Sequence, residues 1–312
     1  MNNTFINKVR DMSKIILGTW QTVPSDGFWT DQDVSKSEKL LSFAIHQGFT
    51  SFDTAQGYGK GRAEQLLGKV LSHFPTVNFE VDSKIMPSSK EPEELTTQSL
   101  ARLRISTLNR LYLHWPRTGF DTSCFILKML KLKDKGLVKK IGICNTPLEY
   151  LKSLDAPLDC IQIPVSLLWT RDLQETLSYC KDHKIEVVSY NALGMGLLSG
   201  KYTKPEDLKD ARATLFCFKE PCYKPFLNLL GLLKEIATAK GVSSANVALA
   251  WVAANNIDYI LLGARSQEQL ASNLEALKLT LTNNELEALN KASYNLDQES
   301  RKVCNNLFSY NW

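Results

Sequence analysis

The feature that most constrains this chain is a strand-then-helix rhythm that repeats along its whole length. Short apolar, β-prone runs occur at residues 14–17, 50–53, 79–84, 110–114, 139–143, 160–163, 186–190 and 259–262. Between them apolar residues recur at helical spacing over 34–47, 63–72, 92–105, 125–135, 148–154, 173–183 and 226–255, and a further such stretch at 267–277 follows the last run. Alternation of this kind makes right-handed βαβ units on a parallel sheet, and eight units in 312 residues is the count and length of an α/β chain closed into a (β/α)8 barrel. Two doubly wound domains would also alternate. No Pro/Gly/Ser-rich linker or low-complexity segment divides the sequence, so the expectation is one barrel over residues 1–312. Local signals agree with the boundaries. Pro92 opens one predicted helix, and Gly48 and Gly136 sit just past two others. The longest irregular stretch, 194–223, is long enough to be a functional loop over the barrel mouth.

Parallel barrels do their chemistry at the carboxyl ends of the strands, so the polar residues at those ends are the candidates. The second run ends at Asp53 and leads through a Gly-rich turn to Tyr58; the third ends at Lys84 and the fourth at His114. Taken singly, each has a plainer role. Asp53 would cap the turn with Tyr58 packed on it, Lys84 would be a solvated strand end, and His114 a hydrogen-bonded core histidine. Two glycine clusters also invite a dinucleotide-binding reading, but GYGKGR at 57–62 has Arg62 at the third fingerprint position and GMGLLS at 194–199 has Ser199. Neither is followed by a strand ending in an acid, so a Rossmann domain is set aside.

Asp53, Tyr58, Lys84 and His114, in that order and spacing, resemble the catalytic tetrad of the aldo-keto reductases. LGTWQ at 17–21 and FDTAQGYG at 52–59 are similar to that family's motifs. LYLHWP, IGICN (141–145), IQIPVSLL (161–168), SYNALGMGLLSGKY (189–202) and LLGARSQEQLASNLEAL (261–277) continue the pattern in the same order. The resemblance implies a barrel that binds a nicotinamide cofactor, NADPH/NADP+, and acts on a small carbonyl substrate, an aldehyde or ketone. Carbonyl reduction needs a hydride on carbon and a proton on oxygen, which suits these residue types. Tyr58 would be the acid, and Lys84 would lower its pKa by about one to three units as a nearby opposite charge does. Asp53 would balance Lys84, and neutral His114 would orient the carbonyl. Trp20, Tyr58, His114 and Trp115 would contact substrate, and Trp29 and the aromatic tail 307–312 are further candidates for the mouth.

For the cofactor, Asn145 and Gln162 would hold the carboxamide and Tyr190 would stack on the nicotinamide. Gly18, Thr19, Trp20 and Asp53 would line the near side. The glycine-rich loop with Asn191, Leu193, Gly196 and Lys201 would receive the pyrophosphate. Gly263 and Arg265 at a helix entry suit a phosphate, with Gln269 and Asn273 facing the adenine. Three departures from the family pattern, Cys144, Ser272 and the proline-free YNALG, bear on cofactor affinity. A regulatory subunit of the potassium-channel β type, binding nicotinamide with little turnover, is the alternative within the same fold; an aldolase with Lys84 as Schiff base is a third reading.

The formal charge of +4, with Lys and Arg scattered, leaves no footprint for nucleic acid or anionic lipid. Seven cysteines with no CxxC pair imply neither zinc site nor disulfide framework, and no metal is expected. The N-terminal segment lacks an apolar core and no run reaches the length of a membrane span, so the expectation is a cytoplasmic protein; oligomeric state is left open.

Overall fold

A computed structural model describes residues 12–25 and 27–307. Eight parallel strands close into a barrel in sequence order: β1 (Ile15–Gly18), β2 (Ser51–Asp53), β3 (Glu80–Ile85), β4 (Leu108–Leu113), β5 (Val138–Cys144), β6 (Cys160–Pro164), β7 (Glu186–Tyr190) and β8 (Tyr259–Leu262). β8 pairs back onto β1, with Ile16 opposite Leu261, which removes both sheet edges. Outside the strands lie α1 (Val34–His46), α2 (Arg62–Leu71), α3 (Pro92–Leu103), α4 (Thr122–Asp134), α5 (Leu148–Ser153), α6 (Leu173–Asp182), α7 (Tyr223–Lys240), α8 (Ser244–Ala254), α9 (Gln267–Ala276) and α10 (Asn283–Ser300).

Each strand is buried on both faces, and its alternation divides two cores. Leu17, Phe52, Val81, Leu111, Leu113, Ile141, Ile143, Ile161 and Val187 point outward and pack with the helices. Inward, Ile16, Tyr112, Cys144, Cys160 and Val188 form a separate small core inside the barrel. Tyr112 fits there because its neighbour on β5 is Gly142: a Cβ at that position would come within 2.7 Å of the Tyr112 ring and 2.5 Å of the Cys160 carbonyl. Below this layer lies a floor of buried charge. The Arg110 guanidinium reaches Asp82 at 3.3 Å and Glu186 at 3.2 Å and stacks over the Tyr259 ring at 4.1 Å. Burial lifts the Asp82 carboxyl to about 7, with Arg110 opposing and Asp53 adding to the shift.

Two helical boundaries differ from the sequence expectation. The stretch 226–255 is two helices, because Gly241 takes φ +66° at the end of α7 and Ser243 then caps α8 through Asn246 N–H. α10, absent from the expected elements, opens with a capping box in which Thr282 Oγ1 accepts from Glu285 N–H and Glu285 accepts from Thr282 N–H. The segment after β7 folds as a series of short 3-10 turns between residues 194 and 218. Of the tail proposed to cover the mouth, residues 308–312 lie outside the described residues. No helix among the described residues is long and apolar enough to cross a membrane. All seven cysteines are free thiols.

Candidate active site

The upper layer of the barrel interior is polar because the alternation that buries Ile16, Tyr112 and Val188 places Gly18, Lys84, His114, Gln162 and Tyr190 one step further along their strands. Lys84 Nζ lies 2.5 Å from Asp53 Oδ1 and donates to the Thr54 carbonyl at 2.9 Å. Both charged side chains are fully buried, 1% and 2% exposed, so the pair is held without water screening. Gln162 Nε2 donates to the other Asp53 oxygen at 2.8 Å. The Lys84 ammonium sits 5.0 Å from the centre of the Tyr58 ring. His114 meets the same ring edge-on with centroids 5.6 Å apart, and Trp20 flanks it at 6.2 Å.

Burial and charge set the protonation states. Burial disfavours the Lys84 ammonium, but Asp53 and Tyr58 more than offset it, so its pKa is raised. Burial first, and the Lys84 charge second, hold His114 well below its usual value, which keeps the imidazole neutral. Tyr58 departs from the expectation. Lys84 does pull its pKa down, but loss of hydration at the cleft floor outweighs that pull and Asp53 opposes it, so the phenol is pushed up to about 12. The resting state is therefore a neutral phenol on a buried ammonium–carboxylate pair.

Above this layer opens a cleft of about 910 Å3. Asp53, Tyr58 and His114 line its floor; Trp20 and Trp115 line one wall; Gly18, Asn145, Gln162 and Tyr190 lie beside them. Asn191, Leu193, Gly196 and Lys201 of the loop after β7, and Gly263, Arg265, Gln269 and Asn273 after β8, continue it. Lys84 lies beneath, behind Tyr58. Thr19 does not line the cleft, contrary to expectation. It is fully buried, and both its N–H and its hydroxyl donate to the Asp53 carbonyl, at 2.9 and 3.0 Å, so it fixes the end of β2.

Several expected cofactor ligands are already engaged with one another. The Tyr190 hydroxyl donates to Asn145 Oδ1 at 2.5 Å, and Asn145 Nδ2 donates to the His114 carbonyl at 2.9 Å. Asn273 Nδ2 donates to the Gly263 carbonyl at 3.0 Å, and Gln269 Oε1 accepts from Arg265 N–H at 2.8 Å. Cys144, just below Asn145, is buried and its thiol is pushed well up by that burial.

Some cleft residues escaped sequence reasoning. Arg212 is buried, pairs with Asp210 at 2.8 Å, donates to the Met195 carbonyl at 3.1 Å and stacks over Trp29 at 4.8 Å. It sits in the irregular loop, where no periodicity marks it. Phe28, Met86 and Glu268 also line the cleft. A nicotinamide dinucleotide fits these donors. Asn191 Nδ2 and Trp29 Nε1 are buried N–H groups with no hydrogen-bond partner among the described residues, and Gly196 takes φ +90°, a backbone that a side chain would strain, with Arg212 Nη1 3.8 Å from where a Cβ would stand.

A closed barrel with a buried Lys–Asp pair under a neutral phenol and imidazole defines an enzyme of the barrel oxidoreductase class. The family model described as "Aldo/keto reductase family" matches residues 14–293, and the chain belongs to that family. The chain is 28% identical over 299 residues to Aldo-keto reductase YhdN of Bacillus subtilis, covering 90% of this chain and 89% of that protein. It is 29% identical over 307 residues to the chloroplastic pyridoxal reductase of Arabidopsis thaliana, covering 90% and 82%. Among solved structures, the glycerol dehydrogenase AKR11B4 from Gluconobacter oxydans superposes with a TM-score of 0.76 at 25% identity, over 89% of this chain and 90% of that one. An aldo/keto reductase from Klebsiella pneumoniae in complex with NADP and acetate shares the fold, with a TM-score of 0.68 at 23% identity over 89% and 90%.

Proposed function

We propose that this chain is an NADPH-dependent carbonyl reductase that converts an aldehyde or ketone to an alcohol. The observation that carries the reading is the stack Asp53–Lys84–Tyr58–His114, with the buried Asp53–Lys84 pair beneath Tyr58 and His114 at the floor of a cleft of about 910 Å3. Bound nicotinamide would supply the hydride to the carbonyl carbon. The protein's part is the proton. Tyr58 gives its phenolic proton to the carbonyl oxygen as negative charge gathers there, and Lys84 stabilises the phenolate that is left. Asp53 keeps the ammonium charged and pointed. His114, being neutral, can donate an N–H to the carbonyl oxygen without competing for the Tyr58 proton.

Asn145, Gln162 and Tyr190 line this cleft and would hold the nicotinamide ring, and Arg265, just before the N-terminus of α9, lines it too and would meet a 2′-phosphate. One relative, the Arabidopsis thaliana protein named "Probable voltage-gated potassium channel subunit beta", is 26% identical over 292 residues. Steady-state NADPH oxidation with a panel of short aliphatic and aromatic aldehydes separates catalysis from mere binding. Saturable turnover supports the reductase. Tight NADPH binding with no turnover on any aldehyde would refute it.

A further inference from the structure

The connection from β1 to α1 runs along the cleft and is fastened at both ends. Near α2, Gly59 N–H donates to Ser25 Oγ at 3.1 Å and Arg62 Nη2 to the Pro24 carbonyl at 3.0 Å. At the other end Ala211 N–H donates to the Gly27 carbonyl at 3.2 Å, and Trp29 lies between two guanidinium groups, Arg212 at 4.8 Å and Arg265 at 5.7 Å. The Trp29 ring also meets Trp20 edge-on at 5.5 Å, which ties this end to the substrate wall. Its indole N–H is buried and has no hydrogen-bond partner among the described residues.

Arg265 is not idle in this arrangement. Its Nη2 donates to Asp31 Oδ1 at 2.7 Å and its Nε to Gln32 Oε1 at 2.8 Å, so two of its three nitrogens are taken by the strap. We propose that Asp31 is a selectivity-setting residue: its carboxylate holds the guanidinium that the 2′-phosphate of NADPH needs, and so narrows the preference for NADPH over NADH. This rests on the reading of Arg265 as the phosphate ligand. Asp31 opposes the phosphate twice, as a competitor for the same N–H groups and as a like charge beside it. NADH has a hydroxyl in that place and meets neither penalty. Because the Asp31 side chain is 73% exposed, water screens the pair and the effect is modest. Asp31 acts through Arg265 and is a positioning residue, not a catalytic one.

The test is the ratio of NADPH to NADH affinity, from fluorescence titration of the full chain, for the wild type and for Asp31→Asn, Asp31→Glu and Arg265→Ala. Removing the charge while keeping the shape should raise the NADPH:NADH affinity ratio by about 3- to 10-fold, the span of an exposed ion pair plus one screened repulsion. Asp31→Glu, which restores the carboxylate, should stay near the wild-type ratio, and the Asp31→Asn gain should shrink in high salt. An unchanged or lower ratio in Asp31→Asn, with Arg265→Ala still abolishing the NADPH preference, overturns the proposal and leaves the phosphate reading intact. An Arg265→Ala ratio equal to wild type overturns both.

Discussion

Replacing Lys84 by methionine separates the two jobs that its ammonium performs. The side chain is buried, its Nζ 2.5 Å from Asp53 Oδ1, and Gln162 Nε2 is the other side-chain donor to that carboxylate. Lys84→Met keeps the volume and strands the Asp53 charge in a dry layer, which costs about 3–5 kcal/mol for a broken buried pair. At roughly 2–4 °C per kcal/mol in a large domain, Tm should fall by about 6–20 °C. The chemical step should fall as well. Tyr58 already resists ionisation, its pKa pushed up to about 12 with Lys84 present, and without that charge the phenolate formed in proton donation is unsupported. A loss of about 100- to 10,000-fold in single-turnover rate follows from the usual worth of a general acid. The double variant Asp53→Asn/Lys84→Met then distinguishes the effects. With both charges gone nothing ionic is left unpaired, so most of the lost Tm should return while the rate stays low. Thermal unfolding and rapid-mixing reduction of a good aldehyde measure the two quantities. If the double variant melts no higher than Lys84→Met, or if Lys84→Met stays within tenfold of the wild-type rate, the reasoning is wrong.

Tyr58→Phe keeps the ring contacts to Trp20, His114 and Lys84 but removes the proposed donor, so the single-turnover rate should drop by about 100- to 10,000-fold with NADPH affinity little changed; retention of more than a tenth of the rate would sink the role. With the phenol at about 12 and the imidazole held below its usual range, the form needed for reduction persists across neutral pH. Single-turnover reduction should therefore be flat from about pH 6 to about pH 9, while alcohol oxidation, which needs the phenolate, should rise with pH; a fall of the reductive rate inside that window would contradict the burial argument. Among the described residues no cluster of His, Cys, Asp and Glu could hold a metal ion. Prolonged chelation should leave turnover intact, and a loss restored by added metal would show otherwise.

The barrel and the meeting of Asp53, Tyr58, Lys84 and His114 at its mouth could be read from the chain because both are written locally. Asp53, Lys84 and His114 each follow an apolar run directly, and a barrel rule says what a polar residue at such a place faces. Arg212 and Trp29 could not be read that way. Their contact joins the connection after β1 to the loop after β7, and neither stretch carries a period that would predict it. The break at Gly241 and the Thr282–Glu285 capping box were written in the sequence but masked by the apolar residues around them. The sign of the Tyr58 shift is a different kind of failure. Neighbouring charges can be inferred from motif order, but the depth of burial that overrides them is a property of the closed fold. Thr19 shows the same thing on a smaller scale, since adjacency to a strand end does not say whether a hydroxyl faces the cleft or the backbone.

All four tetrad residues come from β2 to β4 and the turns that follow them, whereas Asn145, Gln162, Tyr190, Asn191 and Arg265 come from β5 to β8. On the proposed roles the barrel would have a proton-handling sector and a dinucleotide-handling sector, and two amide side chains stitch the seam. Gln162 reaches across to Asp53 and Asn145 to the His114 carbonyl. The carboxylate of one half is thus steadied by an amide of the other. A grip tightened on one side of the seam is felt on the far side through those two hydrogen bonds. Substitutions in β5–β8 that leave both Asn145 and Gln162 and their hydrogen bonds in place should therefore disturb the acid less than changes at those two amides.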